Sequence, residues 1–508
     1  MFNPKRWIER KPELSGFFDS PVQQDAEKAT DKNTTGICQC LPNADPLFDD
    51  FRDDIICETL RQFQLHGLKY KDLVEFSELV PTIYAWNERY DTLRQNVNRR
   101  FVVFPWVIVM AETVKHVKKS VKWAVRYNIP LATRSGSHCF EPYSLVQGIV
   151  IDQSSRQGIR VGSKAALIEA GVLLGPMAVE LEKYNVAVVA GTCPNNGFSG
   201  FTLGGGIGLL LRKYGLGSDN VVAFQIVLAN GKCIVADKNK HSDLYFGLKG
   251  AGNGNYGIVT SFKVKTLPIG RVTTFELHYP PTMLAQVLDI WQCWAPNTDW
   301  NLSSECNIFR DYISVDGLYL GNKEACEKLL GKLLVIALKS TVEEKTYVEA
   351  ARQFSGTGVW PPFFKNKSSF ALKPLSEKGY AVISSFMEKA TPDDHLELGA
   401  FGGFVNKVPA NATAFVHRDT LFWIHFQCKW NNQNEQEERI KWVRSFYRAM
   451  KPYLSGQCYQ NVPDSDLKCP LERYYGKNLP RLVEIKSKYD PGNVFRYQQS
   501  IPTSLRIK

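Results

Sequence analysis

The sequence predicts an α+β protein, and three observations lead there. From about residue 101, short apolar runs alternate with amphipathic helical stretches. Two of the connections between them are dense in glycine, at residues 134–138 and 191–208. Beyond about residue 268 the pattern changes to longer strands and helices. Alternating elements joined by glycine-rich turns argue for two small sheets around a dinucleotide.

Each element has its own warrant. Residues 1–80 match no familiar pattern and are polar and charged to about Asn43, so a partly disordered start is expected. Amphipathic stretches such as 55–66 then read as helices that pack on the body of the protein or on another copy, which allows a homo-oligomer. Val102-Val103-Phe104 and Trp106-Val107-Ile108-Val109 read as extended runs interrupted by Pro105. Val114, Val117, Val121 and Ala124 recur at helical spacing, and the helix ends near Asn128-Ile129-Pro130. Leu131-Ala132-Thr133, residues 148–152 and residues 164–170 read as strands. Residues 177–184 read as a helix, and Ala187-Val188-Val189-Ala190 as a strand leading into the second glycine-rich loop. Further on, residues 421–426 alternate as a strand and residues 435–450 form a helix.

Composition bounds the function. The 508 residues suffice for two or three domains, and 44% hydrophobic with 22% charged residues is ordinary for a globular protein with a large core. A net charge of +11 favours acidic glycans, anionic lipid or nucleic acid as weak partners, or serves solubility alone. The basic residues form no tail, which argues against sequence-specific nucleic-acid binding. No run of about 18 apolar residues exists, so no transmembrane segment is expected. The first ten residues lack the apolar centre of a secretory signal, so an intracellular or unconventionally exported chain is expected. Asn33, Asn301, Asn366 and Asn411 each begin an Asn-X-Ser/Thr triplet, inert outside the secretory route. The 12 cysteines show no zinc-like pairing, and no metal is expected. Cys38 and Cys40 are the one close pair, which leaves a disulfide or metal role open.

The glycine-rich loops carry the chemistry. In Arg134-Ser135-Gly136-Ser137-His138, a glycine between small serines lets backbone N–H groups approach pyrophosphate oxygens. Arg134 adds positive charge nearby, and His138 brings an imidazole beside the ligand. Taken alone, such a loop is equally a turn around a hydrogen-bonded histidine. The second loop, Gly191-Thr192-Cys193-Pro194 followed by Gly197, Thr202 and Leu203-Gly204-Gly205-Gly206-Ile207-Gly208, supplies a thiol after a strand-like run. A third block, residues 243–260 with Gly257 and Val259, is glycine-rich but lacks the strand–GxGxxG–helix order of a nicotinamide fold.

These loops, with Leu211-Arg212-Lys213-Tyr214-Gly215-Leu216-Gly217-Ser218-Asp219-Asn220-Val221, resemble the FAD-binding domain of the berberine-bridge-enzyme-like oxidases. The tail from Tyr474-Tyr475-Gly476-Lys477-Asn478 to Gln499-Ser500-Ile501-Pro502 resembles that family's C-terminal signature. The resemblance implies a two-subdomain FAD-binding domain of the PCMH/vanillyl-alcohol-oxidase type at residues 81–267. It also implies an α/β substrate-covering domain at 268–473 and a segment, 474–508, returning to the first domain. It implies bicovalent FAD, 8α-histidyl at His138 and 6-S-cysteinyl at Cys193, with Asn478 and Gln499 near the cofactor. Many relatives are secreted, so the absent signal is a departure. The implied activity is hydride removal from an alcohol, carbohydrate or aromatic small-molecule substrate, with electrons passed to O2 or another acceptor.

Such an oxidation needs a base for the hydroxyl proton. Plant-type relatives place a tyrosine where Ile207 stands, and the family's C-terminal Tyr-X-Asn-Tyr becomes Tyr459-Gln460-Asn461-Val462. The family's lysine and glutamine-or-glutamate positions fall on Trp423 and His425. His425 and Tyr459 are therefore the candidate proton acceptors, and Trp423 is either a stacking wall or core. A second function class fits the altered base positions. The fold would then serve chiefly in assembly, its N-terminal extension and basic surface mediating self-association or polyanion binding.

Overall fold

The computed structural model describes residues 50–355 and 361–505. The expected disordered start, the Cys38–Cys40 pair and the Asn33 triplet lie outside these residues. Three main sheets organise the described chain. In the first, Thr82–Tyr84 pairs antiparallel with Val107–Met110, which runs parallel to Ile149–Asp152, itself flanked in parallel by Leu131–Arg134. Parallel neighbours need crossovers, and the helix Val114–Arg126 supplies the first. Thr113 caps it by accepting the His116 amide, and its buried stripe of Val117, Val121 and Ala124 covers the sheet.

The second sheet is antiparallel, ordered Ile159–Val161, Ala165–Glu169, Ile258–Lys265, Val221–Val227, Cys233–Asp237. Its core includes Phe224, Phe262 and Leu248, and the C-terminal helix Leu479–Tyr489 adds Leu482, Val483 and Ile485. The third and largest sheet has seven antiparallel strands. Their order is Lys339–Lys345, Val272–Tyr279, Ile313–Tyr319, Leu302–Ile308, His395–Ala400, Phe422–Trp430, Phe363–Ala371. Helices Leu284–Trp294, Glu377–Met387 and Gln436–Met450 bury one face of it through Trp291, Ile383 and Phe446. The other face looks back toward the glycine-rich loops.

Sequence and structure differ in places with clear causes. Residues 102–104 are irregular: Val102 is exposed, while Phe104 lies under the Arg94 guanidinium instead of joining a ladder. The strand expected at 187–190 is confined to Val186–Ala187, paired with Leu267–Pro268. Val188, Val189 and Ala190 continue as buried irregular chain. The helix expected from Met177 begins earlier, at Leu174. Helices Asp50–Leu65 and Tyr70–Leu79 pack on the first sheet of this same chain, where Phe63 and Phe76 meet Trp123 and Phe63 also meets Trp106.

Arg212 ties the loop region to the large sheet. It is fully buried, has no carboxylate partner among the described residues, and donates to the carbonyls of Pro296, Thr298, Asp299 and Leu302 at 3.2, 2.8, 3.2 and 2.5 Å. Burial pushes its guanidinium down to about 10. Arg212→Ala leaves the Pro296 and Leu302 carbonyls buried and short of a donor, with those of Thr298 and Asp299 partly so, and is expected to destabilise by about 3 kcal/mol. A drop of several degrees in the melting temperature by calorimetry checks this.

Candidate functional site

The strand Leu131–Arg134 ends on the first glycine-rich loop, which opens onto a long cavity. Ser137 sits at φ 51, a left-handed turn unusual for a non-glycine residue, and its carbonyl is held by the Val97 amide at 2.9 Å. His138 follows on the cavity wall. Gly136 lies so near the second loop that a Cβ there would collide with the Gly197 amide nitrogen. This close approach carries the thiol of the second loop to the imidazole: Cys193 Sγ lies 3.8 Å from His138 Nε2. Burial pushes the His138 imidazole down to about 4, so the ring is neutral at ordinary pH.

The cavity continues along Gly252, Asn253 and Gly254, past Gly257 and Val259, to Tyr474, Tyr475 and Gln499. Gln499 is held by Tyr474 Oη at 2.9 Å and donates to the Asp464 carbonyl at 2.8 Å. A long groove walled by glycine backbone, with an imidazole on its wall and the Cys193 thiol, itself off the wall, 3.8 Å from that ring, fits a dinucleotide bearing a reactive ring.

Above His138, the open face of the large sheet presents two neighbouring rows of side chains. Across one row the register aligns His278, Ser314, Asn307, Glu397, His425 and Ser368. His425 Nδ1 lies 3.2 Å from Glu397 Oε2, which also accepts Gln427 Nε2 at 2.8 Å. The other ring nitrogen, Nε2, is buried with no hydrogen-bond partner among the described residues. The imidazole is stacked with Phe140, two residues after His138, and with Trp423. Tyr459 is different: its oxygen accepts the amides of Gly206 and Ile207 at 3.1 and 3.2 Å and Asn461 Nδ2 at 2.9 Å. Burial raises its pKa above the usual tyrosine value.

Of the residues singled out in the sequence, Arg134, Ser135, Gly136, Ser137, His138, Gly197, Gly257, Val259 and Gln499 line the cavity. The charge of Arg134 is consumed within the protein: Nε pairs with Asp152 at 2.6 Å, and the guanidinium donates to the Gln95 and Leu93 carbonyls. Thr192, Thr202, Gly204, Gly205, Gly206 and Gly208 stand off the cavity wall. A Cβ at Gly204 would strike Asn461, and one at Gly208 the Ala190 carbonyl. Asn478 is placed elsewhere, donating to the carbonyls of Ala410 and Thr413 at 2.8 and 3.0 Å. Glu397 escaped sequence reasoning, because its nearness to His425 comes from strand register. Tyr143, Phe201 and Tyr497 on the cavity wall also carried no motif.

Comparison with known proteins supports an FAD-binding domain. Residues 105–237 match the family model of an FAD binding domain, and residues 458–502 match that described as berberine and berberine like. The FAD-linked oxidoreductase YgaK of Bacillus subtilis is 35% identical, over 81% of this chain and 94% of its own. Berberine bridge enzyme-like 25 of Arabidopsis thaliana is 30% identical, over 91% and 95%. The structure of Physcomitrella patens BBE-like 1 superposes with a TM-score of 0.80 at 30% identity, over 85% of this chain and 98% of that one. Among the described residues no helix is long and apolar enough to cross a membrane, and no cluster of three or more ligating side chains suits a metal.

The contact between the two loops gives a direct prediction. Gly136→Ala must push the loops apart, so its bound flavin, read as absorbance near 450 nm per protein, is expected to fall about tenfold or more. Gly270→Ala, with open space around it, leaves flavin content unchanged.

Proposed function

The chain belongs to the berberine-bridge-enzyme-like family of FAD-linked oxidoreductases, and we propose that it oxidises an alcohol, chiefly of carbohydrate type, with His425 as proton acceptor. FAD, when bound in the cavity, supplies the two-electron acceptor for the hydride. His138 and Cys193 would hold it covalently, at the 8α carbon and C6 of its ring. The neutral imidazole and the adjacent thiol support that assignment.

One observation carries the choice of base. His425 offers a buried, partner-free Nε2 while Glu397 holds Nδ1. A carboxylate on one ring nitrogen keeps the proton there, fixes the tautomer, and leaves the other nitrogen to accept from a substrate hydroxyl. The imidazolium that forms is then stabilised by the same carboxylate. Tyr459 is ill suited to the task, since three N–H donors occupy its oxygen. We assign it to holding the Gly206–Ile207 backbone. O2 is the proposed final acceptor, giving H2O2. The helices at 50–79, which could have served assembly, pack on this same chain.

Anaerobic mixing with a panel of sugars and alcohols tests the proposal through bleaching of the flavin. His425→Ala is expected to slow bleaching by about 10²–10⁴-fold. Glu397→Gln slows it by about tenfold and shifts the pH profile, since a positioning carboxylate acts through the imidazole. Absence of bleaching by any member, or an undiminished rate in His425→Ala, contradicts it.

A further inference from the structure

The row beside the His425 row is the second feature of the sheet's open face. In register it aligns Glu276, Asp316, Glu305, Gly399, Trp423 and Phe370. Glu305 and Asp316 are direct cross-strand neighbours, where side chains stand about 5 Å apart. Like charges so placed repel, and burial adds a desolvation cost. Among the described residues, neither carboxylate makes an ion pair. Asp316 Oδ2 takes Ser314 at 2.7 Å and Asn307 at 3.1 Å, while Oδ1 is buried without a partner. Burial pushes the Asp316 carboxyl up to about 6; burial together with Glu397 and Asp316 pushes Glu305 well above the carboxylate range. Glu276 at the end of the row is already engaged by His278, 2.6 Å away.

An independent observation lies at the other end of the row. The Trp423 indole lies over Gly399, where a Cβ would collide with its Nε1. That N–H is buried with no hydrogen-bond partner, in a residue only 8% exposed. The indole thus fills the space over Gly399, whose cross-strand neighbour on the other side is Glu305. Glu305, Asp316, Gly399 and Trp423 wall one groove, closed from the other side by Ile207 of the second glycine-rich loop and Leu211, which begins the short helix after it. The groove offers an unsatisfied donor at one end and, at the other, two adjacent carboxyls with no ion-pair partner among the described residues. A metal ion is disfavoured because no cluster of three or more ligating side chains suits one among the described residues.

We infer that this groove is a substrate subsite for a protonated amine, held by Glu305 and Asp316 while an acceptor atom of the same molecule takes the Trp423 indole N–H. The inference rests on the proposed oxidation at His425 and names its substrate class: an amine-bearing carbohydrate. The groove adjoins that base, because His425 and Trp423 are two residues apart on one strand and one face. Glu305 lies two strands over from Trp423, roughly 10 Å. The ammonium therefore sits about one sugar ring from the carbon that is oxidised. An ammonium there neutralises the pair and favours ionisation of both carboxyls.

Binding to the flavin-loaded enzyme tests this with three sugars of one skeleton: the β-1,4-linked glucosamine disaccharide, its N-acetylated form and cellobiose. Titration calorimetry is expected to show the amine sugar binding at least about tenfold tighter than either neutral one. Glu305→Gln and Asp316→Asn each bring the three to within about twofold, while melting temperature is held or raised because a buried carboxyl that resists ionisation gives way to a neutral amide. Equal binding of the three, no binding of the amine sugar, or a preference that survives both substitutions overturns the inference. His425→Ala separates the two ideas. Retained amine preference without flavin bleaching leaves the subsite standing, whereas bleaching by wild type without amine preference leaves only the oxidation.

Discussion

The close approach of two backbones, Gly136 to Gly197, is the constraint on which the site depends. No side chain fits between them, since a Cβ on either glycine meets the other loop. This contact fixes where the strand Leu131–Arg134 delivers His138, and where the chain after Ala190 delivers Cys193. An imidazole and a thiol 55 residues apart in sequence thereby meet within 3.8 Å. Burial keeps the imidazole uncharged, the form in which it is a nucleophile.

The rest of the molecule holds the large sheet against that pair. Arg212 donates to four carbonyls of the chain entering the strand Leu302–Ile308. Arg418 grips Asp219 with two bonds of 2.8 Å. At the sheet edge, Lys365 meets Glu141 and Asp464 at 2.8 and 2.6 Å, and Lys367 meets Asp464 and Asp466. Glu141 follows His138 by three residues, so this buried cluster couples the sheet to the first loop. Buried charges of this kind contribute little net stability, but each loses much if its partner is removed, which favours one docking geometry.

How far the sequence revealed this depends on where each interaction is encoded. Gly136, Gly197 and His138 were legible because close backbone approach demands glycine locally, and the motif carries its neighbours with it. The position of His425 on an alternating strand was legible too. Glu397 was not, because it reaches His425 only through the pairing of His395–Ala400 with Phe422–Trp430. Arg134 misled for a related reason: its strand lies parallel to Ile149–Asp152, in a register that sets Asp152 beside it. A buried guanidinium takes that carboxylate before any ligand arrives. Asn478 likewise satisfies two carbonyls that no local pattern announces. The run Val188-Val189-Ala190 has strand composition yet forms no ladder, since tertiary packing overrides propensity there.

Mass spectrometry of a tryptic digest of the flavin-loaded protein tests the central claim most directly. His138 and Cys193 fall on different tryptic peptides. The account predicts one species in which the two peptides are joined through a single FAD. Both peptides at their unmodified masses, with FAD recovered free, would contradict it.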